Sequence, residues 1–287
     1  MWKGGRVRTS LSLVWFQAAG CTGCSISLLN ADYPSIKNLL LDEVVPGKAL
    51  ALRFHLTLMG PTGQPALEVL QKIPLEAAGD YILIVEGAVP TGAQNFGKVG
   101  ELSMAQHLLA LVEKAQAVVA MGTCAAFGGI PAASPNPTRA MGVQEFLHKE
   151  NRNLPVVNVP GCPPHPRWLL ETLVHLLAGP VPGPKDLDEL GRLKSVYSKL
   201  IHEGCPRRAD FDVGRFAQAF GEEGCLYELG CKGPYTWALC PYHAWNGGVN
   251  WCIKAGHPCI GCTEPEFPDF PAPIFRKVTE PAYRRTK

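Results

Sequence analysis

Apolar and polar positions along the first 178 residues follow two alternating rhythms. Short continuous apolar runs, "LSLVWFQ" (11–17), "YILIVEG" (81–87), "AQAVVAMGTC" (115–124) and "LPVVNVPGC" (154–162), have the length and composition of buried parallel strands. "LRFHLTLM" (52–59) alternates in part and reads as a further strand. Between them, "SISLLNADYPSIKNLLLDEV" (25–44), "QPALEVLQKI" (64–73), "ELSMAQHLLALVEKA" (101–115) and "RWLLETLVHLLA" (167–178) carry helical spacing. Four or five such alternations predict an α/β fold with a doubly wound parallel sheet over residues 1–178.

The rhythm stops at "GPVPGPKDLDELG" (179–191), whose Pro and Gly content reads as a linker. Residues 192–287 are aromatic, rich in Gly and Pro, and dense in cysteine. With few long apolar periods, this second region is expected to be mostly irregular and to draw much of its order from inorganic clusters.

Composition narrows the classes. The chain has 287 residues, 46% of them hydrophobic and 18% charged, enough for one large or two modest cores. A net charge of +2 gives no electrostatic case for binding nucleic acid. No apolar run approaches the roughly 20 residues that span a bilayer. The N-terminal stretch has neither a leader's charged and apolar regions nor a twin arginine, since Val7 separates Arg6 and Arg8. The expectation is therefore a cytoplasmic chain, or one at the cytoplasmic face of the membrane, with a periplasmic location as the alternative if this is a processed form.

The 11 cysteines change the picture most. An odd number in a long chain argues against a closed disulfide framework and towards metal. Cys21, Cys124 and Cys162 each follow a predicted strand, and in an open α/β sheet the carboxyl ends of strands form the ligand crevice. With Cys24 they make four thiolates, the usual complement of one iron–sulfur cubane. Glu86 ends a strand too, and reads equally well as a crevice residue or as a carboxylate in solvent or capping a helix.

After residue 200, His202 stands three residues before Cys205, and Cys225 and Cys231 follow, giving a second group of four. Cys240, Cys252, Cys259 and Cys262 make a third. Eleven thiols and one imidazole thus fill three four-ligand sets. Zinc also accepts Cys-x-x-Cys pairs, but the gap from Cys24 to Cys124 is too long for a ribbon or finger. Cys252 as a free thiol beside a three-iron cluster stays open, as does a structural zinc or interaction protein. The other seven histidines (55, 107, 148, 165, 175, 243 and 257) read as structural.

In this order, "GCTGCSISLLN", "VEGAVP", "GTCAAFGGIPAA", "NVPGCPPHP", "IHEGCP", "GCLYELGCKGP" and "NWCIKAGHPCIGCTEPEFPDF" resemble the small subunit of nickel–iron hydrogenases, from about Trp15 to Phe270. The resemblance implies a flavodoxin-like domain carrying a proximal [4Fe–4S] cluster on Cys21, Cys24, Cys124 and Cys162. It implies a distal cluster on His202, Cys205, Cys225 and Cys231. It implies a medial one on Cys240, Cys259 and Cys262, with Cys252 as fourth ligand where many members have proline. Three [4Fe–4S] clusters would relay electrons from a large subunit holding the nickel–iron centre to an electron carrier or membrane electron-transfer subunit. A dimer of such heterodimers is one assembly that this allows. Oxygen-tolerant members have two extra cysteines where this chain has Gly23 and Gly129, which implies an ordinary proximal cubane. The cluster-bearing subunit of respiratory complex I shares the first domain but lacks the cysteine-rich region. A flavin-binding flavodoxin would need its phosphate loops where the cysteine loops stand.

Overall fold

The computed structural model describes residues 9–42, 45–76, 81–92, 96–269 and 271–279. The stretch 1–8, which carries part of the leader argument, lies outside these residues, as do 280–287 at the end of the cysteine-rich region.

Seven strands occur among the described residues: β1 (Thr9–Gln17), β2 (Lys48–His55), β3 (Tyr81–Glu86), β4 (Lys98–Val99), β5 (Leu102–Ser103), β6 (Ala115–Met121) and β7 (Val156–Val159). β4 and β5 form a separate two-stranded hairpin, and the other five form one parallel sheet in the order β2-β1-β3-β6-β7. Without the hairpin this is the flavodoxin-like winding, with its switch point between β1 and β3. The α/β expectation holds.

The register explains why the strand sequences are apolar throughout. Trp15, Ile84, Val119 and Val157 pair across four strands and point to one face, while Val14, Leu83 and Val118 point to the other. Both faces are covered, so every side chain of β3 is buried. Helices α1 (Gly23–Leu29) and α2 (Ile36–Leu41) contribute Leu28 and Leu39 to the first face. On the second, α3 (Gly63–Glu76) supplies Leu70 and Ile73, and α4 (Met104–Val112) supplies Leu108 and Leu111. Next in the chain come two short helices, α5 (Gly122–Phe127) and α6 (Gly129–Ala132). Then α7 (Val143–Lys149) adds Phe146 and Leu147 to the second face, and α8 (Pro166–Ala178) lays Trp168, Leu169 and Leu173 on the first.

Several boundaries differ from the sequence expectation: the apolar run 115–124 is strand only to Met121, the helix expected over 101–115 spans 104–112 with Leu102–Ser103 in β5, and two further differences have a local cause. The helix expected over 25–44 is two helices, because Pro34 disfavours helical backbone at Tyr33 and Ser35 then opens α2 with a reciprocal capping box to Asn38. Residues 43–44 of that expectation lie outside the described residues. The strand expected at 52–59 lies at 48–55, since its pairing with β1 ends at Trp15–His55 and Met59 N–H turns back to the His55 carbonyl.

Beyond residue 192 the described chain holds only helices and turns of three to five residues, among them α9 (Lys194–Tyr197), α10 (Arg208–Asp212) and α11 (Cys240–His243). Its apolar side chains, including Val196, Ile201, Leu226, Ala238 and Ile253, join the same hydrophobic cluster as α8 and the first sheet face. The cysteine-rich region therefore rests directly on the sheet's helical layer. The Pro/Gly-rich stretch before it runs beside β7, where Asn158 N–H donates to the Gly191 carbonyl.

Candidate iron–sulfur centres

At the carboxyl end of the sheet, β1 leads to Cys21 and Cys24, β6 to Cys124 and β7 to Cys162. Cys124 lies in the first turn of α5 rather than in a loop. Burial first, then Glu86 and then the other three cysteines of the group push the Cys24 thiol far above its ordinary pKa. Burial and the neighbouring Cys162 raise Cys124 to about 11. A Cβ on Gly122, whose φ is +84°, would stand 2.5 Å from Cys24 Sγ, so glycine leaves room for that sulfur. Gly23 and Gly129 also border the group: a Cβ there would lie 3.1 Å from Cys21 Sγ and 3.1 Å from Cys124 Sγ.

Glu86 satisfies both of its sequence readings. It is 2% exposed at the end of β3, where it accepts from the Cys24 and Ser25 backbone N–H groups at 3.0 and 3.2 Å and so caps α1. Trp15 Nε1, Gln17 Nε2 and Ser25 Oγ also donate to it. His55 Nε2 lies 3.3 Å from Ser25 Oγ. This buried net fixes the loop that bears Cys21 and Cys24.

His202, Cys205, Cys225 and Cys231 line one pocket, with Tyr227 and Ile253 in its wall. Cys231 accepts backbone N–H groups from Cys259 and Gly233 at 3.3 and 3.4 Å, yet burial still lifts its thiol to about 11. Burial, reinforced by Arg208, pushes the pKa of His202 down, which favours a neutral imidazole.

The third group lies between the other two. Burial, then Cys262 and Cys252, push Cys240 well up. Cys259 is buried beside Thr236, and burial also raises Cys252, although that residue as a whole is exposed. Burial raises Cys262 to about 12 against the lowering effect of the nearby Cys162 backbone.

Two contacts join the groups in series. Between the first and third groups, the Thr123 hydroxyl, which accepts from Gly161 N–H at 2.8 Å, donates to the Cys262 carbonyl. At the other end, the Cys259 amide meets the sulfur of Cys231.

The donor chemistry fits iron–sulfur clusters. All eleven cysteines are free thiols, and at sites such as Cys24, Cys124, Cys231 and Cys262 burial disfavours ionisation unless a cation compensates it. A zinc site needs four donors within about 2.0–2.3 Å of one point. Among the described residues no three His, Cys, Asp or Glu side chains converge in that way.

Among the remaining histidines, His107 Nε2 meets the Val99 carbonyl at 2.8 Å, and His243 accepts from Trp168 Nε1 at 3.1 Å. Sequence reasoning missed Thr123 and Lys232. Their only signal was adjacency to Cys124 and Cys231.

Residues 21–176 match the family described as the NADH ubiquinone oxidoreductase 20 Kd subunit, and residues 197–275 match the C-terminal domain of the NiFe/NiFeSe hydrogenase small subunit. The periplasmic [NiFeSe] hydrogenase small subunit of Desulfomicrobium baculatum is 42% identical over 92% of this chain and 86% of that protein. The periplasmic [NiFe] hydrogenase small subunit of Solidesulfovibrio fructosivorans is 40% identical over 93% of this chain and 82% of that protein. The solved recombinant [NiFeSe] hydrogenase of Desulfovibrio vulgaris Hildenborough superposes with a TM-score of 0.86 at 40% identity, covering 95% of this chain and all of that one.

These relatives correct the expected location. Both small subunits are named periplasmic, so they point away from the cytoplasm. The physical reason is that an export leader is a removable segment, and the sequence of the folded part carries no record of it. Two domain matches in the right order, relatives that align nearly end to end and a shared fold lead to one conclusion: the chain belongs to the nickel–iron hydrogenase small-subunit family.

Proposed function

We propose that this chain is the electron-relay subunit of a hydrogenase, paired with a large subunit that holds the nickel–iron centre. Cys21, Cys24, Cys124 and Cys162 hold a proximal [4Fe–4S] cluster, and Cys240, Cys252, Cys259 and Cys262 a medial one. His202, Cys205, Cys225 and Cys231 hold the distal one, which serves an external carrier or a membrane electron-transfer subunit. Such clusters supply reversible one-electron transfer at potentials set by ligands, hydrogen bonds and exposure.

The chain's own residues do the rest. Buried thiolates bind iron and exclude water. Backbone amides aimed at Cys231 stabilise negative charge on that sulfur. A neutral imidazole at His202 makes its site less negative than a fourth thiolate would, and so biases it towards accepting an electron.

The observation that carries this reading is the serial contact of the three groups through Thr123–Cys262 and Cys259–Cys231. The test is anaerobic purification of the intact complex. Nickel in a co-purifying partner chain, about 12 irons in this one and three centres reduced by hydrogen are the expected results. Fewer than three centres would overturn the assignment.

A further inference from the structure

Lys232 is a lysine with 1% exposure, among the largest fully buried side chains of the chain. It follows Cys231 directly, and its backbone N–H donates to the Cys259 carbonyl at 2.7 Å. Its Cβ and Cγ pass Gly261, where an added Cβ would sit 3.4 Å from each, so its stem runs alongside the Cys259–Cys262 turn. The ammonium donates to the carbonyls of Gly230 at 3.1 Å, Pro273 at 3.3 Å and Arg276. That uses all three donors of the group on neutral acceptors. Among the described residues it has no carboxylate partner.

A buried charge without a counter-ion is costly, and chains keep one where something compensates it. Burial pulls the pKa of the ammonium down, and Cys231 and Cys259, one from each of two adjacent ligand sets, oppose that and favour its charge. We propose that Lys232 is a positioning residue of the electron relay, a fixed buried cation shared by the medial and distal sites that raises the reduction potential of both. This rests on the assignment of those cysteines as cluster ligands. Each electron gained adds negative charge at a site, and a nearby cation stabilises the reduced form more than the oxidised one. The same ammonium ties residues 273–276 over the junction, which keeps water from screening it.

The experiment is a potentiometric titration of the intact complex followed by EPR, comparing wild type with Lys232→Met, Lys232→Gln and Lys232→Arg. In the two neutral variants the medial and distal midpoints shift downwards together, the proximal midpoint stays, and Lys232→Arg remains near wild type. Unchanged midpoints in the neutral variants overturn the proposal. So does loss of the clusters from both neutral variants, which would make Lys232 a structural tether alone. Failure of the underlying assignment would look different, because wild type itself would then lack medial or distal signals.

Discussion

Single side chains decide what each centre becomes. Cys252 is the fourth sulfur of the middle group, near enough to Cys240 and Cys262 to raise both thiols. Replacing it with proline is expected to convert a four-iron cluster into a three-iron one. Iron falls from about 12 to about 11 per chain, and a new EPR signal appears in oxidised protein. A variant that keeps its full iron and shows no new signal would mean that Cys252 is not a ligand. His165 makes a separate prediction. It is 4% exposed, with Nε2 on the Ala244 carbonyl and Nδ1 accepting from Arg167 N–H at 3.2 Å, so it is the neutral tautomer. Burial pushes its pKa down to about 4, Ala244 opposes this, and His243, Arg167 and Asp32 act more weakly. The folded chain thus refuses a proton that the unfolded chain takes up as pH drops below 6.5. Stability supplied by the neutral ring is present above that pH and is lost towards pH 4, by at most about 3 kcal/mol. The gap in unfolding midpoint between wild type and His165→Gln should narrow over this window. A gap independent of pH would contradict the assignment.

Among the elements, α8 carries the largest mechanical duty, since it lies on the sheet and beneath the cysteine-rich region at once. Leu173 is fully buried in that layer. Leu173→Ala is expected to cost about 2–5 kcal/mol, measured as a lower unfolding midpoint of the complex. Because the cavity opens below both regions, their unfolding should stay coupled; two separated transitions in the variant would show that the layers are independent. The elements also show what could be read beforehand. Strands buried on both faces are visible as unbroken apolar runs, which is why β3 and β6 stand where the sequence puts them. The split between α1 and α2 was signalled by Pro34, but the apolar spacing on either side hid it. Helix α7 was missed although Val143, Phe146 and Leu147 have helical spacing, because seven residues give too short a period to separate from a loop.

At the scale of the whole molecule, the cysteine-rich region has little regular structure of its own and packs on the first sheet face, and on the proposed reading iron supplies the rest of its order. Anaerobic chelation of iron from the complex should release amide protection across residues 192–279 while the amides of β3 and β6 remain protected, as read by hydrogen exchange. Equal loss in both places would mean that the sheet also needs the clusters. The twelve candidate ligands were legible from spacing and from a count that left no thiol over, because ligand chemistry restricts residue type strongly. Lys232 and Thr123 were not legible. A lysine or threonine beside a cysteine is ordinary until the fold brings Gly261, Pro273 or Cys262 to meet it.

At each of the two junctions the middle group offers a main-chain atom, the Cys262 carbonyl to the Thr123 hydroxyl and the Cys259 N–H to the Cys231 sulfur. Every residue type carries that carbonyl, and every one except proline that N–H. Drift among neighbouring side chains can therefore retune the wire's voltage, but it leaves the solder points in place.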